Sequence, residues 1–110
     1  MLKLAGVSSR AAAAMPYRLS HQARRDLDEI YIRGAELFGL AQADEYSAGM
    51  AQTLTFLASY PRAARERTEI VPPVRAHRYK SHVVIYRLEP DAILILRVRH
   101  GHEDWTSSPL

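Results

Sequence analysis

The sequence predicts an α+β fold in which a two-helix antiparallel hairpin packs on a small, mostly antiparallel β-sheet, in the order β-α-α-β-β-β. Three observations lead there. Apolar residues recur at steps of three and four through residues 20–60, the period then switches to two from residue 74 onward, and Pro61 and Pro72-Pro73 bracket a charged stretch between the two regimes. An amphipathic helical pair and a half-buried sheet each have one apolar face, and they satisfy each other as two layers around one core.

The elements follow in order. Residues 1–15 are rich in small side chains, free of acids and without a sustained period, so they read as a frayed leader, with Met15 as a possible true start. Tyr17-Arg18-Leu19 alternates and reads as a short strand. Ser20 is suited to cap a helix, because its hydroxyl can accept from the free amides of a first turn. Ala23, Leu27, Ile30, Tyr31, Gly34, Leu37 and Phe38 then mark one helical face, and Gly39 supplies the stop. Ala43, Tyr46, Met50, Leu54 and Leu57 continue the period in a second helix that ends before Pro61. With so short a joint, the helices should return antiparallel. Residues 61–73 read as a surface connection. Val74 to Tyr79, His82 to Leu88 and Ala92 to Arg99 are three strands, joined by Lys80-Ser81 and by Glu89-Pro90-Asp91; the last is apolar on both faces and should be covered. The domain thus runs over 16–104, with 105–110 a polar tail in which Trp105 either folds back on the sheet or waits for a partner.

Composition limits the function. A chain of 110 residues makes one domain. It buries roughly 60–70% of its unfolded surface, leaving little room for a deep substrate cavity. Without cysteine there is no disulfide framework, zinc-thiolate site or thiol chemistry, and the apolar stretches are too short to span a bilayer. The net charge is only +3, but residues 62–100 hold nine basic against four acidic side chains while residues 1–61 hold six of each. A basic second half suits an acidic partner.

Several constellations read as structure. Ser20, His21 and Asp26 resemble a hydrolase triad in type only: Ser20 is a cap, and the other two are solvated side chains of the first turns. His100-x-His102 with Glu103 and Asp104 offers too few fixed ligands for a metal, so no metal and no cofactor are expected. His77 and His82 flank the Lys80-Ser81 joint as an exposed cross-strand pair. Among Tyr31, Phe38, Tyr46, Phe56 and Tyr60, most should be core, with one or two left as an exposed anchor.

Tyr17-Arg18-Leu19-Ser20, Ala23, Asp26-Leu27, Glu29-Ile30 and Phe38-Gly39, then Ala43, Tyr46, Leu57, Pro61, Pro73-Val74-Arg75, His82 to Arg87 and Ile95-Leu96-Arg97-Val98-Arg99-His100 together resemble the ParE branch of the ParE/RelE toxin superfamily. The resemblance implies the toxin of a type II toxin–antitoxin pair in the bacterial cytoplasm, neutralised by a ParD-like antitoxin in a hetero-oligomer and inhibiting DNA gyrase. The alternative is a RelE-like ribosome-dependent mRNA endoribonuclease. RelE-like nucleases usually carry an arginine near the place of Val83 and a tyrosine soon after the last strand; here valine stands at the first place and no tyrosine follows Tyr86. Arg97, Arg99 and His100 are therefore expected to contact the target, supported by Arg75, Arg78 and Lys80, by charge and hydrogen bonding and without sequence-specific nucleic-acid recognition. Tyr31, Phe38 and Tyr46 are the expected antitoxin contacts. Charge reversal at Arg97 and Arg99 is expected to abolish toxicity in a protein that still folds.

Overall fold

The computed structural model describes residues 16–110; the leader and the Met15 start lie outside the described residues. β1 (Tyr17–Leu19) leads into α1 (His21–Phe38) and α2 (Leu40–Ser59), followed by β2 (Glu66–Arg67), β3 (Val74–Tyr79), β4 (His82–Leu88) and β5 (Ile93–His100). The five strands form one mixed sheet in the order β1-β5-β4-β3-β2. The predicted α+β fold and the antiparallel meander of β3, β4 and β5 are present. The sheet differs from expectation at its two edges. β1 runs parallel to β5, and the connection at residues 61–73 contributes β2, paired with Val74 and Arg75. A two-residue strand is too short to show a period, and partner direction across a whole chain is not a local property.

Ser20 starts α1 as the sequence indicates. Its Oγ accepts from Ala23 N at 3.0 Å and donates to the Leu96 carbonyl at 2.7 Å, so one hydroxyl caps the helix and fastens it to β5. Gly39 turns the chain with φ at 92°, a region that favours glycine, and its N–H closes α1 on Ala35 O. Lys80 takes a left-handed φ of 51° in the two-residue turn between β3 and β4, which fixes Tyr79 opposite His82.

The sheet is covered on both faces. On the helix face, Met50, Leu54, Leu57 and Ala58 of α2 and Ala23 of α1 meet Val84, Tyr86, Ile93, Ile95 and Val98. On the other face, Val74, Val83 and Ile85 form a second cluster with Ile70, joined by Ala76, Leu96 and Trp105. The apolar character of β5 on both faces is thereby explained, and Trp105 takes the fold-back option. The hairpin aromatics differ from expectation. Phe38, Phe56 and Tyr60 stay exposed, Tyr31 is half-buried and only Tyr46 packs against the core. Phe38 ends α1 at the turn of the hairpin, whereas Phe56 and Tyr60 lie at the far end of α2, and helical period reports which face is apolar without reporting what covers it.

Candidate functional site

Cross-strand register gathers the chemistry at one end of the sheet. On the helix face, Tyr79, His82 and His100 form one row across β3, β4 and β5; on the open face, Arg78, Val83 and Arg99 form the adjacent row. Residues of one row stand close enough to interact side chain to side chain. The His82 and His100 rings lie 5.1 Å apart in an edge arrangement, and His102 follows His100 at 4.7 Å. Tyr46 reaches down from α2, its hydroxyl 2.7 Å from His82 Nδ1 and accepting from Ser81 N at 3.3 Å. The Lys80 ammonium lies over the Tyr79 and Tyr46 rings at 5.5 and 5.8 Å.

This end closes a cleft of about 960 Å³ between hairpin and sheet, with Leu27, Ile30, Ala43 and Met50 among its apolar lining and His82, Arg97 and His100 at its polar end. The sequence had left little room for such a space.

The nominated cations occupy different situations. Arg97 grips Asp26 with both ends of its fork, Nε to Oδ2 at 2.7 Å and Nη2 to Oδ1 at 3.0 Å, while Asp26 Oδ2 also accepts from Val98 N at 2.9 Å. β1 has ended by that point of β5, and the Asp26 carboxylate takes the place of a neighbouring strand at the free edge. The reading of Asp26 as a solvated side chain is corrected accordingly: 12% of it is exposed, and 20% of Arg97. The hydrogen bonds that Arg97 donates to Asp26 raise the Arg97 pKa above its ordinary value. Arg75 donates to the Ala64 carbonyl at 2.6 Å and so ties down the connection before β3. Arg78 donates to its own turn at Lys80 O, 3.0 Å away. Arg99 donates to Glu103 at 3.3 Å and to Ser108 O at 2.5 Å. Arg78, Lys80, Arg99 and His100 therefore share one end of the sheet, whereas Arg75 and Arg97 hold other elements together.

The hairpin candidates also separate. The Tyr31 hydroxyl donates to Asp44 at 2.6 Å, joining α1 to α2. Phe38 is 64% exposed at the turn of the hairpin, next to the exposed Leu37 and Leu40, while Tyr46 belongs to the histidine row. The proposed His77–His82 pair does not form. The two-residue turn places His82 opposite Tyr79, so His77 falls two positions back against Val84, with its ring 5.8 Å from Phe56. Among the described residues no group of three or more His, Cys, Asp or Glu is arranged to hold a metal ion, and no helix is long and apolar enough to cross a membrane.

Sequence reasoning missed Tyr46 with His82. The two-residue joint was signal enough to pair His82 with Tyr79, but nothing local reports which helix lies above them.

Burial lowers the His82 pKa, as does the neighbouring His100, with Glu103 opposing. The folded state thus holds fewer protons than the unfolded chain near the ordinary value of 6.5. The stability contribution is complete above that value and is lost as pH falls through it toward the folded pKa. Melting temperatures measured across this range should drop on acidification, and H82Q should flatten the drop; an unchanged profile in H82Q would assign the effect elsewhere.

Comparison with known proteins supplies the family. A family model described as the ParE toxin of type II toxin–antitoxin system, parDE, matches residues 17–105. The chain is 33% identical over 85 residues to Toxin ParE1 of Caulobacter vibrioides, covering 77% of this chain and 88% of that toxin. It is 30% identical over 89 residues to Toxin ParE1 of Mycobacterium tuberculosis, covering 80% and 91%. A solved structure described as the chromosomal ParDE TA system from P. aeruginosa superposes with a TM-score of 0.67 over 80% of this chain and 97% of that one. Its identity of 24% speaks for the fold alone.

Proposed function

The chain belongs to the ParE toxin family of type II toxin–antitoxin systems, and from that premise we propose that it acts in the cytoplasm by binding: it inhibits DNA gyrase, and a ParD-like antitoxin holds it inactive in a hetero-oligomer. The observation that carries the choice of binding over RNA cleavage is Val83. Where a RelE-like nuclease would place a phosphate-holding arginine, a valine only 6% exposed sits in the apolar cluster beneath Trp105. A side chain without charge or hydrogen-bonding group cannot stabilise a phosphate in flight. The ribonuclease reading draws on the neighbouring His82, His100 and His102 rings, because an imidazole side chain can serve as a general acid or base.

The target surface in this proposal is the cationic end of the sheet, with Arg78, Lys80, Arg99 and His100 in contact and Arg97 and Arg75 acting through the fold. The antitoxin surface in this proposal is the exposed apolar turn of the hairpin at Leu37, Phe38 and Leu40, with Tyr31 a further contact on α1. Apolar patches of this kind mark protein contacts on small soluble domains.

Purified toxin added to gyrase and relaxed DNA should block supercoiling or trap cleaved DNA, leave ribosome-bound transcripts intact, and lose the effect when a ParD-like protein is added. K80E should weaken inhibition roughly tenfold or more, the scale of one charged contact. Cut transcripts with unaffected gyrase would overturn the proposal in favour of the nuclease.

A further inference from the structure

The open face of the sheet is occupied by the chain's own last ten residues. After β5, Gly101 N donates to Ser81 O at 2.7 Å, pinning the exit of the segment to the β3–β4 turn. A side chain at Gly101 would overlap the Arg78 guanidinium, so the backbone passes flush against it. The Glu103 carboxylate then accepts from Arg99 Nε at 3.3 Å and from His100 N at 3.0 Å. Two positions on, Trp105 lies against the cluster of Ile70, Val74, Val83 and Ile85, with the Arg67 guanidinium 5.2 Å above its ring. Arg99 Nη1 reaches Ser108 O at 2.5 Å and Pro109 O at 3.4 Å. Asp104 is turned away, bonded to the hydroxyls of Thr106 and Ser107.

The slot therefore has three parts in fixed order: an arginine for a carboxylate, an apolar floor for an aromatic ring, and a second arginine above that ring. Among the described residues, Glu103, Trp105 and the carbonyls of Ser108 and Pro109 fill it. Trp105 is half-buried, and a segment pinned at Gly101 faces the slot at an effective concentration on the order of millimolar. A cis contact of this kind shields the floor and Arg99 yet gives way to a competitor that binds more tightly.

We infer that this face is a docking slot for a partner protein's segment bearing an acidic side chain two positions before an aromatic one, and that residues 101–110 cover it in the free toxin. The charges are complementary: Arg99 beside the floor is answered by Glu103 of the cis occupant, Arg78 stands next to it bonded only to the Lys80 carbonyl among the described residues, and Arg67, above the Trp105 ring, is already paired with Glu69 at 2.6 Å. The inference deepens the binding reading above, because Arg99 belongs to the proposed target surface. Gyrase plays no part in its test, so the two readings fail separately.

The probe is a dye-labelled peptide of residues 101–110, followed by fluorescence anisotropy against the full chain. W105A should bind it at least about tenfold more tightly than the wild-type chain, because the slot no longer holds its own tail. Peptide carrying E103Q, or a chain carrying R99Q in addition to W105A, should lose several-fold. No binding to a W105A chain whose circular dichroism matches wild type, or equal binding to both chains, would overturn the inference. A second measurement needs no variant of the protein. Trp105 is the chain's one tryptophan, and millimolar unlabelled peptide carrying W105F should shift its emission to the red as the tail is displaced; an unmoved spectrum would also overturn the slot.

Discussion

Replacing Tyr86 by alanine should cost the fold about 4 kcal/mol, the range for emptying a large aromatic from a closed core. Tyr86 is fully buried between α2 and the sheet, and its hydroxyl donates to Pro61 O at 2.8 Å. The side chain therefore does two jobs. Its ring fills the middle of the helix-face core, and its hydroxyl satisfies the carbonyl at the exit from α2, where the chain leaves regular structure. Y86F keeps the first job and drops the second, leaving one carbonyl short of its donor, for about 1 kcal/mol. A domain of this size has 5–15 kcal/mol in total, so Y86A should remain folded at low temperature but melt far earlier. Urea unfolding of the two variants measures both numbers. If Y86A fell within 1 kcal/mol of wild type, the central core would be more plastic than its close packing implies.

Tyr86 also marks what the sequence could and could not disclose. Its place in β4 followed from the alternation around it, and the two-residue turn at Lys80-Ser81 set its register with β3 by arithmetic. The helical hairpin was legible for the same reason: Ser20, Gly39 and Pro61 punctuate it, and local sterics act through residues a few positions apart. What stayed hidden depends on contacts across the whole chain. β1 pairs with residues more than seventy positions away, and no period reports that. Asp26 looks like any polar residue of a first turn until β5 is seen to run past it. The basic bias of residues 62–100 was visible, but charge counting could not divide cations that hold the fold from cations that face outward. Arg97 and Arg75 fell in the first group and Lys80 in the second. The same blindness affected the hairpin aromatics, because a helical period shows which face is apolar and not whether anything covers it.

Asp26 is where that division becomes measurable. D26A should destabilise the protein by about 3 kcal/mol, because it strands a largely covered guanidinium and removes the acceptor for Val98 N at once. R97A should cost a similar amount, since it leaves the Asp26 carboxylate with a single backbone donor. The pair shares one interaction, so the double variant D26A/R97A should cost about 2 kcal/mol less than the sum of the singles. Independent, additive costs would mean that the observed fork contributes nothing in solution. R97E places two carboxylates against each other and should be worse than either truncation, which changes the expectation that charge reversal at this position spares the fold. Loss of toxicity in R97E would report unfolding as readily as a lost contact. The double truncation separates the two, because it removes the Arg97 charge without leaving a stranded partner. If Arg97 acts through the fold, D26A/R97A should keep toxicity at temperatures where it remains folded, whereas K80E, at a lysine that makes no ion pair among the described residues and lies over the Tyr79 and Tyr46 rings, should lose it with a melting temperature lowered by at most a few degrees. A folded but harmless D26A/R97A protein would instead put Arg97 in direct contact with the target.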